Sequence, residues 1–145
     1  MSGIRSRDTR PEMAVRRGLH ALGYRYRLHA GEISGKPDLV FRQRRAVIFV
    51  HGCFWHGHDC HLFRLPGTRR EFWEAKIDAN RRRDARVREK LLGAGWRVLE
   101  IWECALRGKE APDFSAVMES CAQWLESAAP HLELRGQPPA SDTRE

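Results

Sequence analysis

The chain has no run of about 18 consecutive apolar residues, the minimum for a membrane-spanning helix, and its first residues carry no apolar stretch of the kind that forms a signal-peptide core. A membrane span and a secretory leader are therefore not expected, and the reading is a soluble, intracellular protein. No internal repeat is visible, which excludes solenoid and propeller architectures. Acidic charge is in deficit: 26 Lys and Arg face 19 Asp and Glu, a formal net charge of +7. Such an imbalance favours a polyanionic partner and salt-sensitive association. Cysteine is sparse, with four in 145 residues. In a reducing compartment these are thiols or metal ligands rather than disulfides. A hydrophobic fraction of 41% is that of a globular chain and excludes a wholly disordered one.

What is present is concentrated. The run His51-Gly52-Cys53-Phe54-Trp55-His56-Gly57-His58-Asp59-Cys60 combines thiols, imidazoles, a carboxylate and large aromatics that no packing requirement calls for. Cys53, His58 and Cys60 fall within one loop, and Cys104 follows in Trp102-Glu103-Cys104. Together they make a Cys3His set, a ligand combination that closes a tetrahedral structural zinc site. Four protein ligands leave no open position for water, so this site is structural. Cys121 lies with Val117 and Trp124 at helical spacing and reads as a small core residue.

Around this loop the pattern alternates between helix and strand. Thr9-Arg10-Pro11-Glu12 reads as a helix start, Thr9 capping and Glu12 returning as the reciprocal partner. Val15, Leu19 and Leu22 continue the helix to Gly23. Tyr24, Tyr26 and Leu28 alternate with Arg25 and Arg27 as a half-buried strand would. Leu39 to Phe41 and Ala46 to Val50 are strand-like runs joined by Arg42-Gln43-Arg44-Arg45, and the second is apolar on both faces. Thr68-Arg69-Arg70-Glu71 repeats the capping pattern and opens a long helix through Trp73, Ile77, Val87 and Leu91, with a basic middle at Arg81-Arg82-Arg83. Trp96 to Trp102 is a further strand, and Phe114 to Leu125 a final amphipathic helix. The fold class is α/β, a small mixed sheet flanked by helices. Residues 1–129 form one domain, and residues 130–145, with Pro138-Pro139 and scattered charge, read as a flexible tail.

Gly35-Lys36-Pro37-Asp38 sets a carboxylate after a glycine turn at the mouth of a strand. A hard oxygen there suits Mg2+, which needs one or two carboxylates plus water and phosphate; Pro-Asp is also ordinary turn chemistry. Pro-Asp, a hairpin and a polar strand end at Val50-His51 are the skeleton of PD-(D/E)xK nucleases. The usual acid-x-Lys triplet is missing, since Ile48-Phe49-Val50 offers neither carboxylate nor lysine.

Gly-Lys-Pro-Asp, Val-Ile-Phe-Val-His-Gly-Cys-Phe-Trp-His-Gly-His-Asp-Cys, Thr-Arg-Arg-Glu-Phe-Trp, the stretch Asn80 to Asp84 and Gly-Trp-Arg-Val-Leu-Glu-Ile-Trp-Glu-Cys together resemble the very short patch repair endonucleases. The similarity covers roughly Arg5 to Lys109. Those enzymes nick one strand beside a T:G mismatch left by deamination of 5-methylcytosine. The resemblance implies a PD-(D/E)xK restriction-endonuclease-like core with a structural zinc, and Mg2+-dependent phosphodiester hydrolysis leaving a 5'-phosphate and a 3'-hydroxyl. It makes Asp38 the Mg2+-binding carboxylate, with the backbone carbonyl of Val50, where many relatives carry Thr, as a second ligand. It makes His56 the catalytic imidazole, Asp84 its acidic partner, and His51 and Glu12 supporting residues. For Glu12 the helix-cap reading stands beside catalysis. Phe54 and Trp55 become an apolar wedge into the base stack, and Met1 aligns with a further wedge residue. A cytosine-5 methyltransferase and mismatch-repair factors are implied as functional partners, with a monomer acting at DNA in the bacterial cytoplasm.

The arginines at 42–45, 64, 69–70 and 81–83 are expected as phosphate contacts, which position a protein without reading sequence, although a solvated helix face explains 81–83 as well. Two rivals remain at this stage. One is a non-catalytic zinc-stabilised DNA-binding module, the other a PD-(D/E)xK nuclease that cuts ordinary paired sites.

Overall fold

In the computed structural model, which describes residues 9–28, 31–60 and 62–137, three helices surround a five-stranded sheet. Helix α1 (Arg10–Ala21) opens the fold; Thr9 caps it, its hydroxyl accepting from the Glu12 amide at 3.4 Å. Strands β1 (Arg27–Leu28), β2 (Leu39–Phe41) and β3 (Ala46–His51) follow as antiparallel neighbours. Helix α2 (Arg70–Gly93) then crosses to β4 (Arg97–Trp102), which pairs parallel to β3, and α3 (Phe114–Leu125) crosses to β5 (His131–Leu134), parallel to β4. Among the described residues no helix is long and apolar enough to cross a membrane.

Strand periodicity explains the two cores. Leu39, Phe41, Ala46, Ile48, Leu99 and Ile101 share one sheet face and pack under Val15 and Leu19 of α1 and Val117, Met118, Cys121 and Leu125 of α3. Val40, Val47 and Val98 share the other face and pack beneath Leu91 and Val87 of α2. The central strand β3 is thus covered on both sides, as its uninterrupted apolar run requires. Cys121 is fully buried in the first core.

Three elements differ from the sequence expectations. Tyr24 and Tyr26 do not lie in a strand; both pack edge-on against Phe41, and only the exposed pair Arg27–Leu28 joins the sheet. Helix α2 begins after Arg69, in the left-handed region at φ 55°, and no side chain caps it. The Thr68 capping box therefore does not form. The segment expected as a tail after 129 contains β5, because residues 131–134 pair with Val98 to Ile101 along the edge of β4, where backbone groups need partners. Residues 138–145 lie outside the described residues.

Several arginines are occupied within the fold, Arg42, Arg44 and Arg45 of the expected phosphate contacts among them. Arg97 stacks over Trp124 and donates to the Trp124 and Leu125 carbonyls at 3.0 and 3.1 Å, satisfying the end of α3. Arg42 pairs with Glu32, Arg44 with Glu126, and Arg45 donates to the Ala94 carbonyl.

Candidate active site and metal centre

The inward face of α2 carries Trp73, Ile77, Asn80, Arg81, Asp84, Val87, Arg88 and Leu91, a series at helical spacing. Its two ends are apolar and its middle is polar. That polar middle holds the loop after β3: Asn80 donates to the Trp55 carbonyl at 2.8 Å and Arg81 Nε to the Gly57 carbonyl at 2.9 Å. Gly57 is in the left-handed region at φ 62°, and a side chain there would meet Ile77 and Arg81 at 2.4 and 2.5 Å, so only glycine allows the loop to lie this close to α2. Arg81 is thereby a loop clamp; its neighbour Arg82 pairs with Asp78, and Arg83 lines the cleft described next.

A cleft of about 200 Å3 opens where β2, β3 and β4 meet α2, and Asp38, Val50, His51, His56, Asp84 and Glu100 all line it. Asp38 enters β2 and its Oδ2 accepts from the Val50 amide at 2.7 Å, which ties the carboxylate to the end of β3. Burial pushes its carboxyl up to about 7, the Val50 amide opposing and the nearby Glu12 charge adding to the rise. Glu12 is 2% exposed and its carboxylate contacts Arg16 and faces Asp38. Its amide is capped by Thr9, but its side chain turns inward, so the expected capping box is half formed and Glu12 stands beside the candidate metal carboxylate. His56 Nδ1 lies 2.5 Å from Asp84 Oδ2. His51 Nε2 lies 3.0 Å from Glu100 Oε1, and the two imidazole rings are 4.4 Å apart.

Glu100 was not singled out by sequence, and neither were its partners His131, at 2.7 Å, and Arg88, at 3.5 Å. The available signal was a lone acid in the otherwise apolar Val98-Leu99-Glu100-Ile101, since a buried charge must be paired.

Behind the loop, Cys53, His58, Cys60 and Cys104 bring one ligand atom each to within 4.8 Å of one another. His58 Nδ1 is 3.6 Å from Cys53 Sγ and 3.5 Å from Cys104 Sγ. Tetrahedral bonds of about 2.3 Å to sulfur and about 2.0 Å to nitrogen require sulfur–nitrogen edges of about 3.5 Å, which these two distances match. Burial, with the neighbouring thiols adding, drives the Cys53 thiol far above its ordinary range and raises Cys104. Burial also lowers His58, favouring the neutral imidazole that a metal takes. The Cys104 sulfur accepts from the Gly136 amide at 3.2 Å, and the His58 ring stacks on Trp102 with centroids 4.0 Å apart. The cluster can hold a metal ion.

Phe54 and Trp55 are half-buried beside this centre and touch edge-on at 5.1 Å. Both lean on Trp73 of α2, at 5.5 and 5.6 Å, and Phe54 also on Phe63 at 6.0 Å. Next to them Phe72 is 46% exposed, with Arg69 above its ring. Trp73 and Phe63 join the aromatic group only in three dimensions. Met1 lies outside the described residues.

Comparison with known proteins gives the family of the chain. The family model described as DNA mismatch endonuclease Vsr matches residues 1–62. DNA mismatch endonuclease Vsr of Escherichia coli (strain K12) is 43% identical over 138 residues, 94% of this chain and 88% of that protein. Type II nicking enzyme V.XorIIP of Xanthomonas oryzae pv. oryzae is 54% identical over 106 residues, 73% of this chain and 78% of that protein. Type II nicking enzyme V.NmeAIP of Neisseria meningitidis serogroup A is 40% identical over 109 residues, 75% and 78% respectively. The chain belongs to the Vsr family of DNA mismatch endonucleases.

Proposed function

We propose that this protein is the strand-specific endonuclease of very short patch repair in its cell, hydrolysing the phosphodiester beside the T of a T:G mismatch produced by deamination of 5-methylcytosine. The observation that carries the reading is the meeting of the His56–Asp84 pair with Asp38 in one cleft at the end of β3. Such a cleft offers a base for water and an anionic seat for a cation beside it. Pro37-Asp38 at the entry of β2, the β2–β3 hairpin and the parallel β3–β4 pair support the reading of a PD-(D/E)xK core.

In the mechanism, Asp84 faces His56 Nδ1 and fixes the ring so that Nε2 is the nitrogen that takes the proton of the attacking water. The carboxylate also stabilises the imidazolium that forms. Lys36 and Arg83, which line the cleft, put positive charge beside the scissile phosphate. The donor set suits a hard divalent ion, since a buried carboxyl pushed up to about 7 is one that a cation would return to its ionised form. Mg2+ held by Asp38 and the Val50 carbonyl would neutralise phosphate charge and lower the pKa of bound water. His51 and Glu12 support these groups from either side. Cys53, His58, Cys60 and Cys104 would hold Zn2+, which with four protein ligands would fix the loop that carries His56 and take no part in hydrolysis.

Phe54 and Trp55, backed by Trp73, form the wedge. Inserting it between bases costs a few kcal/mol of unstacking and less where pairing is already imperfect, which favours a mismatch over a paired site. The enzyme acts as a monomer at DNA in the bacterial cytoplasm, downstream of a cytosine-5 methyltransferase and alongside mismatch-repair factors. The test is incubation with Mg2+ of duplexes that differ only in T:G or C:G at one position, across several flanking sequences. Nicking of the T strand alone, to a 5'-phosphate and 3'-hydroxyl, is the expected result. Binding without cleavage, or cutting of the paired duplex, overturns the reading.

A further inference from the structure

Glu100 lies in the middle of β4 on the face turned to α2, and is 4% exposed. A carboxylate buried there without partners would be strongly unfavourable. It has three. His51 Nε2 is 3.0 Å from Oε1, while His131 Nε2 at 2.7 Å and Arg88 Nε at 3.5 Å share Oε2. Burial pushes the carboxyl up, but the hydrogen bonds from His51 and His131 and the Arg88 charge outweigh it and hold the group at about 2. An ionised carboxylate accepts hydrogen bonds and cannot donate them, so each imidazole nitrogen facing it carries hydrogen. His51 is confined in other directions too, by Phe49 stacked at 5.7 Å, Trp102 at 4.8 Å and His56 at 4.4 Å.

We propose that Glu100 is a positioning residue of the nuclease cleft: it keeps a ring hydrogen of His51 on Nε2, turned to the carboxylate, with Nδ1 turned away from it, and His131 of β5 and Arg88 of α2 fix Glu100 in turn. The strand that supplies His131 is anchored independently. Trp102 Nε1 donates to Glu133 at 2.6 Å, Arg135 pairs with Asp59 at 2.8 Å, and the Gly136 amide reaches Cys104 Sγ. One segment thus braces the cleft through His131 and the Cys3His cluster through Gly136. The consequence for nicking rests on the nuclease reading above; the tautomer does not.

Long-range proton–nitrogen correlation spectra of the full chain labelled with 15N-histidine read the tautomer directly. Where the His51 ring carries a single hydrogen it is expected on Nε2, and a predominant Nδ1–H form overturns the proposal. In nicking assays Glu100→Gln should lower kcat about tenfold or more while KM and mismatch affinity stay within about twofold, because the defect lies in placing His51 rather than in holding DNA. In a His51→Ala background the same substitution should cost nothing further, an outcome that a general loss of stability would not give. An unchanged kcat for Glu100→Gln, or an equal loss in both backgrounds, overturns it. Should Glu100→Gln fail to fold, His131→Gln reads the same effect through the brace. A parent protein that does not nick T:G sinks the nuclease reading and leaves the spectra to decide the role of Glu100.

Discussion

His56 Nδ1 and Asp84 Oδ2 meet at 2.5 Å, joining the loop after β3 to the middle of α2. The contact exists because the loop is clamped on either side of His56, by Asn80 on the Trp55 carbonyl and by Arg81 on the Gly57 carbonyl. Replacing Asp84 by Asn should leave this geometry near its present form while removing the charge that stabilises a protonated ring. His56→Ala should lower kcat by about 10^2 to 10^4, the usual worth of a positioned base, and Asp84→Asn should fall within the same range. Single-turnover nicking measured beside equilibrium binding checks this. Parent-rate nicking by His56→Ala would show that water is activated elsewhere.

Asp38 gives a pH prediction for the metal-free protein. Its folded pKa of about 7 lies above the ordinary 3.8, so the folded state holds a proton that the unfolded chain has already released. The associated stability is complete below the ordinary value and is lost as pH rises through the folded one. With chelator present, the melting temperature should decline between about pH 4 and about pH 7, and Asp38→Asn should decline less. Added Mg2+ should stabilise the parent more at the higher pH, where the carboxylate is free to bind it. Asp38→Ala should abolish or greatly slow nicking with mismatch affinity largely kept. A parent melting curve that does not change with pH under chelation contradicts the burial argument.

For the Cys3His cluster, metal analysis of purified protein should give about one zinc per chain, since four ligands build one closed site. Cys104→Ala should lose the ion and lower the melting temperature, because metal binding is coupled to folding. Nicking should fall with it, through the displaced His56 loop. Metal-free protein of unchanged stability would leave the cluster as buried thiols.

The aromatic platform separates recognition from chemistry. Phe54→Ala with Trp55→Ala should weaken T:G preference by on the order of 1 to 3 kcal/mol per stacked base lost. Mismatch and paired duplexes titrated side by side give that difference without reference to turnover. Full discrimination by the double variant would return both rings to the packing against Trp73 and assign recognition to other groups.

The order of elements was legible in the sequence wherever one face of an element is uniformly buried. The apolar run Ala46 to Val50, the alternation of Val98 with Leu99 and the helical series Val117, Met118, Cys121 and Leu125 each appear as read. The Cys3His cluster was legible for a different reason: soft ligands are rare enough that their spacing is itself a signal, and the structure brings all four together. Asp38, His56 and Asp84 could be named from family resemblance, and they line one cleft. Glu12 was ambiguous, because the same residue satisfies a capping pattern and a buried site, and only its inward side chain separates them.

The sequence by itself determined the local matters: helix and strand periods, the basic balance, the metal-ligand spacing and the polar break in the middle of α2. Tertiary structure alone decided that this break faces inward, so that Asn80, Arg81 and Asp84 grip the His56 loop instead of solvent. It decided that residues 131–134 pair with β4 rather than trail as a tail, and that Glu100 receives His51 and His131 together. These outcomes depend on contacts between segments far apart in the chain, where edge pairing and the burial of a charge are settled by which partner arrives, and no local pattern of residue types records the partner.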